Sequence, residues 1–279
     1  MSTPSASWVD GQRLVDLPLP DRGLDYGDGL FETLLLEGGK PLFQELHWQR
    51  LERGLETLGF PDCLSKIRSR SQPALDELRR EGRPRAALRI TVTRGRGERG
   101  YTPSPDAEPR VICSATPLDA TGDALPPPAW LITATMRWAC QPALAGIKHL
   151  NRLEQVLAAA ERQRAGSDEA LMLGQAGNVV SVTSGNLFVV AGKEILTPAL
   201  DECGIAGTRR QLVMQNWAPA LGYEVRETRL DLSMLENADE VFYSNSLWGL
   251  RPIAGMGDLR WDTHAVCADL HQHYRKSLL

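Results

Sequence analysis

The chain has 279 residues, 42% of them hydrophobic and 24% charged, an ordinary globular composition with room for two modest domains. A formal net charge of −4 argues against a nucleic-acid partner, whose binders carry a basic face. No apolar run approaches the roughly 18 residues of a membrane span, and the five scattered cysteines (Cys63, Cys113, Cys140, Cys203, Cys267) contain no CxxC and point away from a disulfide framework or zinc knuckle.

Residues 7–19 read as a hairpin around the turn dipeptide Asp10-Gly11. Asp21-Arg-Gly-Leu-Asp-Tyr-Gly-Asp-Gly-Leu-Phe-Glu-Thr33 then packs three glycines and three aspartates into a tight, specific loop. Residues 31–37 form a strand, Gly38-Gly39 its turn and residues 41–43 the return strand. Residues 45–58 form an amphipathic helix with Leu46, Leu51, Leu55 and Leu58 inward; Arg50 on it reads as a solvated surface charge. A second helix covers 72–81, and strands cover 86–93 and 110–116, with a glycine-arginine loop between them. Thr121-Gly-Asp-Ala-Leu-Pro-Pro-Pro128 is the clearest linker, because three prolines continue neither sheet nor helix. We therefore divide the chain into a small domain (1–119), a linker (120–129) and a larger domain (130–279).

The second half opens with a strand over 130–136. Short strands follow at 169–173, 179–183 and 187–190, then a helix over 207–221, strands at 223–230 and 240–244, and a closing helix over 264–276. Strands and helices mix without a strict βαβ rhythm, which indicates an α+β fold in two domains.

Five lysines are present, and four sit at turns, in polar sequence or near the C-terminus (Lys40, Lys66, Lys193, Lys276). The fifth, Lys148, lies in an apolar run just before Leu150, Leu153, Val156, Leu157 and Ala160 recur at helical spacing. A packed helix there would hold the lysine away from water, disfavour its ammonium form and free the amine to attack a carbonyl. The structural alternative is a lysine snorkelling from a domain surface.

Gly95-Arg-Gly-Glu-Arg-Gly100 matches GxGxxG, but Tyr101-Thr-Pro-Ser-Pro105 follows where a dinucleotide site needs a helix, so that reading is rejected. The loop offers Arg94, Arg96 and Arg99 for an anionic group, or is a surface loop only. Gly204-Ile-Ala-Gly-Thr-Arg-Arg210 presents backbone N–H groups and Thr208 at a helix start, an anion site or a simple cap. Ser244-Asn-Ser246 adds small polar groups at a strand end. His271 and His273 point to different faces of one helix, and no metal site is expected.

Together these pieces resemble one family. The Asp21–Glu32 motif, Arg50, Lys148 and Ser184-Gly-Asn-Leu-Phe188 are similar, in order along nearly the whole chain, to the fold-type IV pyridoxal-phosphate enzymes. These include branched-chain and D-amino-acid aminotransferases and aminodeoxychorismate lyases. Leu144-Ala-Gly-Ile-Lys-His-Leu-Asn-Arg-Leu-Glu-Gln-Val-Leu157 and Arg94-Gly-Arg-Gly-Glu-Arg-Gly-Tyr101 most resemble the lyases. The resemblance implies a small N-terminal α/β domain, a larger C-terminal domain with a mixed sheet or barrel, and pyridoxal 5'-phosphate as cofactor. It implies a lyase of folate synthesis that converts 4-amino-4-deoxychorismate to 4-aminobenzoate and pyruvate, and the scattered cysteines and lack of a membrane-length apolar run lead us to expect a cytoplasmic protein. The alternatives are an aminotransferase on the same fold and a non-catalytic binding protein.

The resemblance also implies roles. Lys148 would hold the cofactor covalently and move protons. Arg50, Gly207, Thr208, Ser244 and Asn245 would hold its phosphate. Ser181 stands where the family usually has a glutamate at the ring nitrogen, and a hydroxyl supplies no negative charge near neutral pH. An elimination helped by aromatisation should tolerate that better than transamination does. Tyr26, Arg99, Tyr101 and Arg152 are the substrate-binding candidates, with Arg137 a further carboxylate partner. Arg99 and Tyr101 occupy the place of a trap that the D-amino-acid aminotransferases supply from the partner subunit, which implies a homodimer with a shared active site.

Overall fold

The computed structural model describes residues 6–13, 16–119 and 123–278. Two compact units emerge, one from residues 1–121 with 147–151 and one from 122–146 with 152–279. Among the described residues no helix is long and apolar enough to cross a membrane. Leu14 and Val15 of the expected hairpin, and residues 120–122 of the expected linker, lie outside the described residues.

In the first unit, β1 (Ala6–Val9) and β2 (Gln12–Arg13) turn at Asp10-Gly11 as expected. The glycine-aspartate loop contains a short helix, α1 (Arg22–Tyr26), capped by the Asp21 carboxylate on Gly23 N at 2.9 Å. Gly27 ends it with φ 67°, a left-handed conformation that glycine adopts without steric cost. β3 (Gly29–Glu37) and β4 (Lys40–Pro41) follow, then α2 (Gln44–Thr57) and α3 (Leu64–Glu81). β5 (Arg85–Thr93) and β6 (Arg110–Pro117) complete an antiparallel sheet of order β2-β1-β6-β5-β3-β4.

The two-residue period of β3 divides its side chains between the sheet faces. Leu30, Glu32, Leu34 and Leu36 share one face with Ala86, Leu88, Ile90, Val92, Val111, Cys113 and Ala115, all buried. That face lies against α2, whose His47 and Arg50 bond to Glu32. Phe31, Thr33, Arg89 and Thr91 share the other face.

α3 begins eight residues before the expected start at 72, despite Pro73 in its interior. Proline removes one helical hydrogen bond, but burial of Ile67, Ala74, Leu75 and Leu78 on both sides of it outweighs that loss.

In the second unit the strands are β7 (Ala129–Thr133), β8 (Glu169–Leu173), β9 (Val179–Val182), β10 (Asn186–Ala191), β11 (Glu194–Pro198), β12 (Glu224–Thr228), β13 (Glu240–Asn245), β14 (Gly249–Met256) and β15 (Leu259–Arg260). They form one mixed sheet of order β12-β11-β10-β13-β14-β7-β8-β9, with β15 on β14. Val179 in β9 bridges Leu230, just beyond β12 at the opposite end, so the sheet curls on itself. Leu131, Leu171, Leu187, Val189, Tyr243 and Ile253 fill its main core.

The helices of this unit are α4 (Leu153–Arg164), α5 (Thr208–Leu212), α6 (Ala218–Ala220), α7 (Leu232–Glu236) and α8 (Ala265–Lys276). A π turn at Val213–Trp217 joins α5 to α6, so the expected helix over 207–221 is one run with a local irregularity. Pro219 in that run has no N–H to give to the preceding turn.

The expectation for the lysine helix needs correction. Lys148 lies before α4, not on it, and Leu153, Val156 and Leu157 are 76%, 59% and 49% exposed. α4 instead turns Gln155 and Ala158 inward. What holds Lys148 is sheet pairing: Phe31 N donates to Lys148 O at 2.9 Å, and Leu150 N to Gly29 O at 3.0 Å. A five-residue segment is thus laid along the first residues of β3, which β4 leaves unpaired.

Candidate active site

The first unit carries the expected amine. Lys148 Nζ lies 4.3 Å from the centroid of the Phe31 ring, and the lysine is half-buried. The Arg89 guanidinium contacts the same ring at 3.8 Å, with Nε donating to Thr91 Oγ1 at 3.2 Å. Partial burial of the guanidinium draws the Arg89 pKa down, although the residue as a whole is exposed.

Arg50 is not the solvated charge its helix pattern suggests: it is 5% exposed. Its Nε donates to Glu32 Oε1 at 2.8 Å and its Nη2 to Glu32 Oε2 at 2.5 Å. His47 Nδ1 lies 2.6 Å from the same Oε2. Burial alone would raise the Glu32 pKa, but Arg50 and His47 more than offset it and hold the carboxyl at about 2. The sequence does not reveal Glu32 or His47, because a strand glutamate and a helix histidine look solvent-facing until sheet and helix are packed together.

The glycine-arginine loop is tied down. Arg94 is buried and spends its guanidinium on Asp28, on Leu58 O at 2.7 Å and on Gly59 O at 3.1 Å, so it is not a free anion ligand. Arg22 donates to Asp28 at 2.9 Å and to the carbonyls of Gly100 and Tyr101, each at 2.8 Å. The loop therefore presents Arg99 and Tyr101 outward from a fixed base, with Tyr101 85% exposed and edge-on to Tyr26 at 5.4 Å. Tyr26 Oη accepts from Gly100 N at 3.2 Å.

In the second unit, Gly207, Thr208 and Ser244 come together around Asn186. Ser244 is the cross-strand partner of Asn186, whose side-chain amide donates to Ile205 O at 2.8 Å. A Cβ on Gly207 would fall 2.0 Å from Asn186 Oδ1, so a larger residue would have to displace the Asn186 carboxamide. Thr208 is buried, and Ser244 Oγ is a buried hydroxyl with no partner among the described residues. Arg209, which the sequence reading passed over, is 1% exposed, and its guanidinium reaches Thr208 Oγ1 at 3.3 Å and Ser246 O at 3.4 Å. Asn245 points its carboxamide oxygen at Leu247 N and Trp248 N, at 3.0 and 2.8 Å, and so closes the strand-end turn.

Ser181 is buried and donates to Val182 O at 2.8 Å. Glu169, on the neighbouring strand, accepts from the Thr183 and Ser184 hydroxyls, and burial pushes its carboxyl pKa up. Arg152 stands over the Trp138 ring at 5.6 Å, and burial lowers its pKa to about 10. Arg137 is exposed.

Known proteins share this fold and sequence. An aminodeoxychorismate lyase of Vibrio harveyi is 35% identical over 257 residues, 89% of this chain and 90% of its own. The crystal structure of 4-amino-4-deoxychorismate lyase from Pseudomonas aeruginosa matches with a TM-score of 0.88 at 37% identity, covering 98% of this chain and 99% of that one. A D-alanine aminotransferase of Bacillus licheniformis is 29% identical, covering 85% of this chain and 82% of its own. The mixed α+β architecture read from the sequence is that of the fold-type IV enzymes. The sequence profile of amino-transferase class IV matches residues 29–256, a stretch that includes β3, Arg50, Lys148 and the Gly207–Thr208 corner, and the chain belongs to that family.

Proposed function

We propose that this chain is a pyridoxal-phosphate-dependent lyase that converts 4-amino-4-deoxychorismate to 4-aminobenzoate and pyruvate, a step of folate synthesis. The observation that carries the reading is Lys148 itself. It is set on the Phe31 ring within the run 144–157, in a chain 35–37% identical to two aminodeoxychorismate lyases.

The residues present fit the cofactor. A half-buried amine suits its aldehyde, and a buried arginine fork suits a phosphate. The unpartnered Ser244 hydroxyl and the Gly207 corner without space for a Cβ suit an oxygen-rich group approaching backbone closely. Bound pyridoxal phosphate supplies an aldehyde that captures the substrate amine and a conjugated ring that takes up negative charge.

Lys148 Nζ takes the proton from the amine-bearing ring carbon of the substrate. The enolpyruvyl C–O bond then breaks as the ring becomes aromatic. The Lys148 ammonium can return its proton to the methylene carbon of the departing enolpyruvate, which gives pyruvate. Arg50 in the first unit, and Gly207, Thr208 and Ser244 in the second, are each candidate phosphate ligands, with Asn245 shaping the turn after Ser244. The substrate carries two carboxylates, for which Arg89 beside Phe31, Arg99 with Tyr101 and Tyr26, and Arg152 are the candidate partners. Ser181 leaves the ring nitrogen without a carboxylate at that position.

The functional assembly in this reading is a cytoplasmic homodimer. Its support is the outward apolar stripe of α4, Leu153, Val156 and Leu157, together with an 85% exposed Tyr101 on a pinned loop. An aminotransferase on the same fold is the second reading, favoured by the D-alanine aminotransferase likeness and opposed by Ser181.

The test follows 4-aminobenzoate and pyruvate together from freshly generated aminodeoxychorismate, with Lys148→Ala as control. Equal formation of both by wild type alone supports the lyase. Cofactor-loaded wild type that forms no 4-aminobenzoate sinks it and turns attention to amino-acid and keto-acid pairs.

A further inference from the structure

β3 supports two groups at once. Its alternation turns Phe31 to the face where the Lys148 amine sits and Glu32 to the opposite face, against α2. On α2, His47 and Arg50 are three residues apart and so are neighbours on one helix face. Glu32 engages both, and the trio is almost completely enclosed, at 1%, 0% and 5% exposure for Glu32, His47 and Arg50.

Helix packing alone does not ask for such a trio. Replacing a buried ion pair by apolar side chains of similar volume is often neutral or stabilising. What the trio supplies is geometry. A guanidinium is a flat fork with five N–H donors on a long flexible stem. Here Nε and Nη2 are engaged by the two Glu32 oxygens, which fixes the plane of the fork. His47 Nδ1, at 2.6 Å from Oε2, in turn fixes the carboxylate.

We propose that Glu32, backed by His47, is the positioning residue of Arg50, holding the plane of its guanidinium for contact with a phosphate monoester. The proposal rests on the assignment of Arg50 to the cofactor phosphate given above. Glu32 touches neither cofactor nor substrate; it acts through Arg50 alone.

The experiment is a double-mutant cycle of wild type, Glu32→Gln, Arg50→Met and the double variant. Each protein is titrated with pyridoxal 5'-phosphate and with pyridoxal, and binding is read from the absorbance change of the aldehyde. The ratio of the two dissociation constants measures selectivity for the phosphate, which a general loss of stability does not move. Glu32→Gln is expected to lower that ratio roughly tenfold, as loss of an orienting partner commonly does. Arg50→Met should lower it further, and the double variant should match Arg50→Met.

An unchanged ratio in Glu32→Gln, or effects that multiply in the double variant, overturns the proposal. If Glu32→Gln does not fold, His47→Gln keeps the Glu32–Arg50 pair and removes its support. A lowered ratio there supports the positioning role, and an unchanged one overturns it. Wild type that binds neither aldehyde overturns the cofactor reading itself, and the positioning role with it.

Discussion

Glu32 gives the protein's acid response a large contribution from one buried residue. Its pKa is held at about 2, below the usual carboxylate value of 4.5, by Arg50 and His47 against the opposing effect of burial. A lowered carboxyl pKa contributes stability that is fully present above the unfolded value and is lost as pH falls toward the folded one. Wild type should therefore lose on the order of 3 kcal/mol from this group between about pH 5 and pH 2. Urea denaturation at stepped pH checks this: the slope attributable to Glu32 should vanish in Glu32→Gln, and an equal slope in both proteins would contradict it. Glu169 has the opposite sign. Its pKa is raised by burial, so its contribution is fullest below the unfolded value and is lost as pH rises through the folded one. Glu169→Gln keeps partners for Thr183 and Ser184 and should flatten the fall in stability toward alkaline pH, as read by the same denaturation series. At Ser181, a buried hydroxyl bonded to Val182 O, Ser181→Glu should place a carboxylate by the cofactor ring and raise aminotransferase side activity. No gain in that activity and no change in the bound cofactor's spectrum would count against the role given to Ser181.

At the scale of elements, β3 does most of the positioning. Gly29, at its start, has no space for a side chain: a Cβ would lie 2.3 Å from Val92 O, a backbone atom that cannot swing away. Gly29→Ala should push β3 off β5 and destabilise the protein by roughly 3 kcal/mol, at the upper end for overpacking. It should weaken cofactor binding as well, since Gly29 O holds Leu150 N beside Lys148. Thermal unfolding and a pyridoxal phosphate titration on the same variant check both effects; an unchanged melting temperature would contradict the packing argument. The elements that sequence patterns showed plainly were those with a clean period and clear turn residues. α2, β5, β6 and α8 fall within a residue or so of their expected bounds. β11, β14 and α7 were not expected. β14 carries Pro252 and two glycines, Gly255 and Gly249, the latter at φ 69°, features that by themselves read as loop.

For the whole molecule, the exposed stripe on α4 is the feature a single chain leaves unexplained. Leu153, Val156 and Leu157 would each contribute roughly 1.5–3 kcal/mol on full burial. In the proposed homodimer a second copy would cover this apolar helix face, which the chain's own cores do not use. Val156→Glu combined with Leu157→Glu should shift the protein from dimer to monomer in light scattering coupled to size exclusion, with the far-ultraviolet spectrum unchanged. A wild type that is monomeric at all concentrations would contradict the dimer.

The sequence by itself determined the α+β class and the family motifs and singled out Lys148 as a candidate, because glycine-aspartate spacing, strand alternation and apolar context are local properties. Only the tertiary structure decided what each charge does. It put Arg50 inside with Glu32 and His47, spent Arg94 on Asp28 and two carbonyls, and turned the stripe beside Lys148 outward. It also moved Lys148 from an expected helix support to the edge of β3. The physical reason is that periodicity marks which residues share a face, whereas the partner that face meets is set by residues distant in the chain.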